Sequence, residues 1–407
     1  MGETIVEQVL GRSSGNFVEV KVDLLAGHDG TASLVVDRFY KEGFQVWNAE
    51  QVLIVFDHFA PPATVERANI QNKLLQFVAE RNLPFKLYKG IMHQILLEDP
   101  RVSPGRVIIG ADSHTTMAGA VGALATGVGA TDFLNTLHSG HIWLRVPPTI
   151  KVILSGSMPP YLQGKDIVLK LLEQLGPDGA NYRCLEFHDQ TRDGISMDSR
   201  ATICNMAVDL GAKFGIFVPD TITQEYLNHR GGEWQELKPG VDCHYEDILE
   251  LQLDELPPLV LDPDGQVRSV ASVQGLPVTQ VFLGSCTSGR LEDFAAIAKL
   301  FQQRQVHPFT KTVVIPASQQ VFQTAIELGY VQTCMQAGAV VLNSSCGPCC
   351  NIDKGVIGDD EICVSTSNRN YQGRMGSLRS QVYLASSLTG AATAVKGKIT
   401  DPREFWV

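Results

Sequence analysis

The sequence predicts an α/β protein whose parallel sheets carry polar residues at their strand ends. Three observations point there. First, short runs rich in Val and Ile recur along the chain: QVLIVF, RVIIGA, IKVILSG, TQVFLG, TVVIPA, AVVLNS and EICVST. Continuous apolar runs of this length suit strands buried on both faces of a parallel sheet. Second, RLEDFAAIAKLF and SQQVFQTAIELGY lie between such runs and carry apolar residues at helical spacing. Strand alternating with helix defines a doubly wound α/β architecture. Third, polar strings follow the runs. Asp57 and His58 follow QVLIVF; Asp112, Ser113 and His114 follow RVIIGA; Cys286 follows TQVFLG; Cys346 follows AVVLNS; Asn368, Arg369 and Arg374 follow EICVST. Ligands of open α/β sheets bind outside the carboxyl ends of the strands, so several regions are expected to contribute to one cleft.

The bulk properties agree. A chain of 407 residues is too long for one core and implies two or three domains. Hydrophobic residues at 44% and charged residues at 19% suffice for large buried sheets and exclude disorder. The Pro- and Asp-rich string ELPPLVLDPDGQ, in a break at 255–275, reads as a linker. A net charge of -11 argues against nonspecific binding of nucleic acid or anionic membrane. MGETIVEQVL lacks the apolar run of a secretion signal, and MAGAVGALATGVGATDF is too poor in large side chains to span a membrane. Nine scattered cysteines, an odd number, fit a reducing, cytoplasmic compartment better than a disulfide scaffold.

Cys286, Cys346 and Cys349 stand in Gly/Ser-rich turns. The spacing of CGPC lets two sulfurs reach one metal centre, with Gly347 and Pro348 forming the turn. Cys286 would close the trio. A four-iron cluster with three thiolates would leave one iron open to substrate. Spacing alone also admits zinc, which needs a fourth ligand such as Cys350 or a histidine, and redox or inert thiols. Cys184, Cys204, Cys243, Cys334 and Cys363 lack ligand-like surroundings and read as small buried hydrophobes, and Cys350 as structural.

Asp57 can orient His58 and raise its basicity; Asp112 and His114 offer a second such pair. His93, in GIMHQI, sits among apolar residues, where a lone histidine is more often a satisfied core residue than a catalyst. Glu186, in RCLEFHD, is an acid in an apolar run; burial would suit it to proton traffic, while an edge-strand glutamate is the plain alternative. Arg369 and Arg374, with Asn368, form a fork suited to carboxylates, or a solvated loop.

Taken together and in this order, HDGTA at His28, FDH, GIMHQ, GADSHT, the TICNM string around Asn205, GSCTSGR, CGPC and STSNRNYQGRMG resemble the aconitase superfamily over nearly the whole chain, most closely its isopropylmalate dehydratase and homoaconitase large subunits. The resemblance implies three interlocked α/β domains, two interleaved within 1–275 and a third in 276–407 carrying the cysteines. It implies a 4Fe–4S cluster on Cys286, Cys346 and Cys349, and reversible dehydration of a small-molecule hydroxy-di- or tricarboxylic acid. Asp57, His58, His93, Asp112, His114 and Glu186 would be catalytic; Ser113, Asn368, Arg369 and Arg374 would bind substrate. The swivelling fourth domain is expected as a separate small subunit, since the chain stops at ITDPREFWV where single-chain members continue. Isopropylmalate is the expected substrate skeleton, with homocitrate, methylcitrate or dimethylmalate as alternatives. An RNA-binding relative is the alternative of another class. Three departures bear on specificity: Ser288 for asparagine, Ser33 for glutamine or proline, and Asp353 for histidine.

Overall fold

Val52–Phe56 and Val107–Gly110 are apolar at every position and buried throughout. A strand with no polar face needs neighbours and cover on both sides. Both lie inside a five-stranded sheet ordered Phe85–Leu87, Val52–Phe56, Leu24–His28, Val107–Gly110 and Leu124–Gly127, with every pair parallel. The structure is a computed structural model describing residues 2–352 and 354–406. Asp353, singled out from sequence, lies outside the described residues.

The chain divides into two compact units. The first comprises Met1–Tyr88, Met92–Ser157 and Pro177–Gln252. Besides the five-stranded sheet it holds a four-stranded parallel sheet ordered Phe214–Phe217, Cys184–Thr191, Thr149–Gly156 and Asp247–Gln252. Phe17–Lys21 and His141–Arg145 form an antiparallel ribbon. Leu25, Ile54, Phe56, Ile109, Leu124 and Phe133 belong to its core. Leu24–His28, the middle strand of the five, is absent from the expected runs. It has no β-branched residue, and a Cβ on its Gly27 would lie 2.7 Å from the Phe133 ring, so helix Ala130–Ser139 packs close over it.

The second unit comprises Lys89–Ile91, Met158–Gly176 and Leu253–Val407. Its seven-stranded sheet runs Val267–Ser269, Leu259–Leu261, Gln381–Ala385, Ile362–Ser365, Gln280–Leu283, Lys311–Val314 and Val340–Val341; the last five strands are parallel and the first two antiparallel. The expected linker is therefore sheet. In LDPDGQ the Asp262 carboxylate accepts the Asp264 and Gln266 N–H groups at 3.0 and 2.8 Å, closing a hairpin turn. The last segment of the second unit begins at Leu253. AVVLNS contributes only the edge pair Val340–Val341, with Val340 55% exposed, because an edge strand has one neighbour. SQQVFQTAIELGY gives two helices, Gln319–Glu327 and Tyr330–Gln336, broken at Gly329 with φ 77°. Helix Gly164–Leu175 belongs to this unit: Asp166 accepts the Gln163 and Leu259 N–H groups, each at 3.0 Å. Among the described residues no helix is long and apolar enough to cross a membrane.

Candidate active site

In the first unit, three neighbouring parallel strands end at His28, just before Asp57, and just before Asp112. Parallel pairing puts those ends on one edge, which gathers the polar strings. The Asp29 carboxylate fixes the turn after Val52–Phe56: Oδ1 accepts the Asp57 and His58 N–H groups at 3.3 and 3.0 Å, and Oδ2 accepts Phe59 N–H at 3.1 Å and Gln71 Nε2–H at 2.7 Å. Asp57 accepts His58 Nδ1–H at 2.7 Å and Met92 N–H at 2.7 Å. The potential ligand atoms of His28, Asp29, Asp57 and His58 all lie within 4.8 Å of one another.

Asp112 caps the 3-10 helix Ser113–Val121, accepting His114 N–H at 2.9 Å. His93, on helix Met92–Glu98, is 4% exposed and places Nε2 3.1 Å from Asp112 Oδ1. It is thus tied to the acid rather than idle in the core. His28 Nε2 lies 3.5 Å from Asp112 Oδ2, and Ser113 Oγ lies 3.2 Å from His114 Nδ1. His114 Nε2 faces Asp209 Oδ2 at 3.3 Å.

These contacts split the proton affinities. Burial opposes charging His58, but the adjacent Asp57 carboxylate overrides it and holds the imidazole up at about 9. His114 is likewise raised to about 9, against burial, by Asp209 and Asp112. Burial and the nearby His58 push His28 down to about 4. Burial also opposes ionisation of Asp112, yet the imidazoles of His93, His114 and His28 hold its carboxyl well below the usual range. At neutral pH His58 and His114 are then cationic and His28 neutral, an arrangement able to donate a proton to a leaving group.

Glu186 has its own partners. It is buried in Cys184–Thr191, an interior strand of the four-stranded sheet. Its oxygens accept Tyr245 Oη–H at 2.5 Å, His188 Nε2–H at 2.8 Å and Ile5 N–H at 3.0 Å. The acid at His114 Nε2 is Asp209, a residue that sequence reasoning missed although it lies four residues beyond Asn205 in TICNMAVDL. His28 and Asp29 are visible in the sequence only as a motif.

The cysteines lie in the second unit. Gln280–Leu283 ends at Gly284, where φ is 146° and a Cβ would meet Ile315 O at 2.3 Å, so only glycine fits. Ser285 follows at φ 76°, and Cys286 opens into the single turn Ser285–Ser288. Arg290, 2% exposed, donates to Cys286 O at 2.5 Å and Thr287 O at 2.6 Å and pins that turn. Cys346 precedes, and Cys349 lies within, the 3-10 turn Gly347–Cys350. Asn368, 4% exposed, donates Nδ2–H to Cys286 Sγ and accepts from Cys349 Sγ, both at 3.6 Å. Arg374 Nη2 is 3.8 Å from Cys349 Sγ and Nη1 is 3.1 Å from Tyr371 Oη, which anchors the guanidinium beside the cysteines. Burial lowers the Arg374 tendency to hold charge, but Cys349 and Tyr371 outweigh it and raise its pKa. Arg369 is half-buried after Asn368.

Among the described residues none of the nine cysteines is in a disulfide. Cys184, Cys204, Cys334 and Cys363 are buried, as expected; Cys243 is only half-buried. The donor set suits a thiophilic metal or an iron–sulfur group: three thiols, with the Asn368 amide against both Cys286 and Cys349.

The fold and these two residue sets define an α/β enzyme with an acid–base histidine cluster and a three-thiol site. The chain belongs to the aconitase family: the family model described as Aconitase family (aconitate hydratase) matches residues 3–266 and 264–397. It is similar to the 3-isopropylmalate dehydratase large subunit 1 of Methanopyrus kandleri, at 40% identity over 417 residues and 100% of both chains. It is 42% identical over 417 residues to the 3-isopropylmalate dehydratase large subunit of Sulfurisphaera tokodaii, again covering 100% of both. Aconitase X of Thermococcus kodakaraensis, in its holo-form crystal structure, shares the fold with a TM-score of 0.52 at 11% identity, over 86% of this chain and 84% of that one.

Proposed function

We propose that this chain is the large subunit of an iron–sulfur hydro-lyase that interconverts 2- and 3-isopropylmalate through isopropylmaleate. It would work in the cytoplasm with a separate small subunit. The observation that carries the proposal is the Asp57–His58 pair, in which the charge of the Asp57 carboxylate, with its 2.7 Å hydrogen bond, keeps a half-buried imidazole protonated at neutral pH. The full-length likeness to isopropylmalate dehydratase large subunits favours that substrate over homocitrate, methylcitrate and dimethylmalate.

Cys286, Cys346 and Cys349 would hold a 4Fe–4S cluster, which supplies a Lewis acid to substrate oxygens through the iron that lacks a thiolate. His58 donates its Nε2 proton to the departing hydroxyl, while Asp57 keeps Nδ1–H oriented and stabilises the cation until transfer. Asp112, fixed by His93, and His114, fixed by Asp209, hold the hydroxyl or water during exchange. Ser113, Arg369 and Arg374 bind substrate carboxylates, since removal of a proton alpha to a carboxylate needs charge stabilisation there. The base for that carbon-bound proton comes with the small subunit. Asn368 hydrogen-bonds the thiols and sets their orientation.

Anaerobic reconstitution with iron, sulfide and the cognate small subunit tests this. With 2- and 3-isopropylmalate, homocitrate, methylcitrate and dimethylmalate as substrates, ultraviolet absorbance of an unsaturated intermediate should rise with the isopropylmalates. Turnover of another acid alone would reassign the substrate; no turnover by the loaded complex would overturn the proposal.

A further inference from the structure

Lys165 lies on helix Gly164–Leu175 and is 1% exposed. Its Nζ donates to the carbonyl oxygens of Thr366 at 2.6 Å and Ser367 at 2.5 Å, and to Thr287 Oγ1 at 3.4 Å. Thr287 Oγ1 gives its own proton to Thr366 O at 2.5 Å, so its oxygen is an acceptor toward the lysine. Acceptors so placed suit the three N–H donors of an ammonium better than the two of a neutral amine. Burying a cation is costly unless its hydrogen bonds are made.

Both arms of this clasp lead to the thiols. Thr287 follows Cys286, and Ser367 precedes Asn368, whose amide touches Cys286 and Cys349 Sγ at 3.6 Å each. We propose that Lys165 is a positioning residue for the iron–sulfur site: it locks the 366–368 loop to the Cys286 turn and sets a fixed positive charge behind the thiolates. The inference rests on the proposed cluster. Three thiolates make such a cluster anionic, and one-electron reduction makes it more so. A buried cation in a medium of low dielectric favours the reduced form and helps retain iron.

The full-length chain, loaded anaerobically with iron and sulfide, provides the test. Wild type and Lys165→Met are compared by redox titration monitored by electron paramagnetic resonance and by the rate of iron loss to a chelator. Far-UV circular dichroism of the cluster-free chains reports folding. The expected result is a more negative potential in Lys165→Met and iron loss faster by roughly 10- to 100-fold, the range for partners behind metal ligands. Lys165→Arg, which keeps the charge, should stay near the wild-type potential. A folded Lys165→Met with unchanged potential and iron-loss rate overturns the proposal. Should Lys165→Met not fold, Lys165→Gln, neutral but able to donate to the same carbonyls, decides: a more negative potential supports the proposal, and an unchanged potential and iron-loss rate overturn it. A wild-type chain that assembles no cluster sinks the proposed function as well; a normal wild-type cluster with an unaltered Met variant removes Lys165 alone.

Discussion

His28 and His58 are stacked ring on ring, with centroids 3.9 Å apart and planes 14° apart, yet the fold drives their proton affinities in opposite directions. His28 Nδ1 accepts Gly30 N–H at 3.1 Å, a bond that a protonated Nδ1 cannot make. His58 Nδ1–H is held by Asp57 at 2.7 Å. Neighbouring rings of one chemical type therefore take different charge states.

Stability should report that split. The His58 pKa is raised from 6.5 to about 9, so its stabilisation is full below pH 6.5 and lost as pH rises through about 9. The His28 pKa is lowered from 6.5 to about 4, so the unfolded chain binds more protons in that window and stability falls as pH drops from 6.5 toward 4. Melting temperature followed against pH should lose part of its alkaline slope in His58→Gln and part of its acid slope in His28→Gln. Parallel curves for wild type and both variants would contradict the assignment.

Turnover should depend on the same proton. His58→Ala should lower kcat by about 10²- to 10⁴-fold, the usual contribution of a general acid, while the visible absorbance of the reconstituted chain stays unchanged. In the wild type, activity should decline as pH rises through about 9. Full activity in His58→Ala would assign the acid elsewhere.

Asp209 and Glu186 should behave differently. Asp209→Asn removes the carboxylate 3.3 Å from His114 Nε2, so it should lower kcat and move the His114 titration, read by NMR, downward from about 9. Glu186→Gln disturbs three hydrogen bonds of a buried carboxylate and should destabilise the first unit by about 1–3 kcal/mol. Denaturant melts and kinetics on both variants distinguish them; a selective kcat loss in Glu186→Gln would return it to the catalytic set.

Cys286→Ser should abolish the brown absorbance of the reconstituted chain or leave it labile to chelators, with the same far-UV spectrum. Brief exposure of wild type to air should remove the iron without a thiolate first, with activity restored by ferrous iron. An unchanged visible spectrum in Cys286→Ser would take it off the ligand set.

The legible parts of the sequence are those where composition and geometry coincide. Val52–Phe56 and Val107–Gly110 are apolar at every position and end at Asp57 and Asp112, so strand and site residue are read together. Leu24–His28 escapes notice because Leu, Ala and Gly carry no strand signature; its position comes from pairing with both neighbours. AVVLNS has the same composition as the buried runs, and composition does not record that a strand closes a sheet edge. Asp209 escapes notice for a related reason. An acid in an apolar string looks alike whether it meets Tyr245 or a catalytic imidazole, and the partner of His114 lies 95 residues away in the chain.

Met158–Gly176 is made long before Leu253–Val407, yet both are parts of the same unit. Asp247–Gln252, the last strand of the other unit, pairs with Thr149–Gly156 almost a hundred residues earlier. The second unit therefore waits for chain made long after its helix, and its closure joins segments distant in sequence. No single cut parts the two units cleanly: a fragment ending near residue 252 would hold every segment of the first unit but also helix Gly164–Leu175 without the strands it packs against.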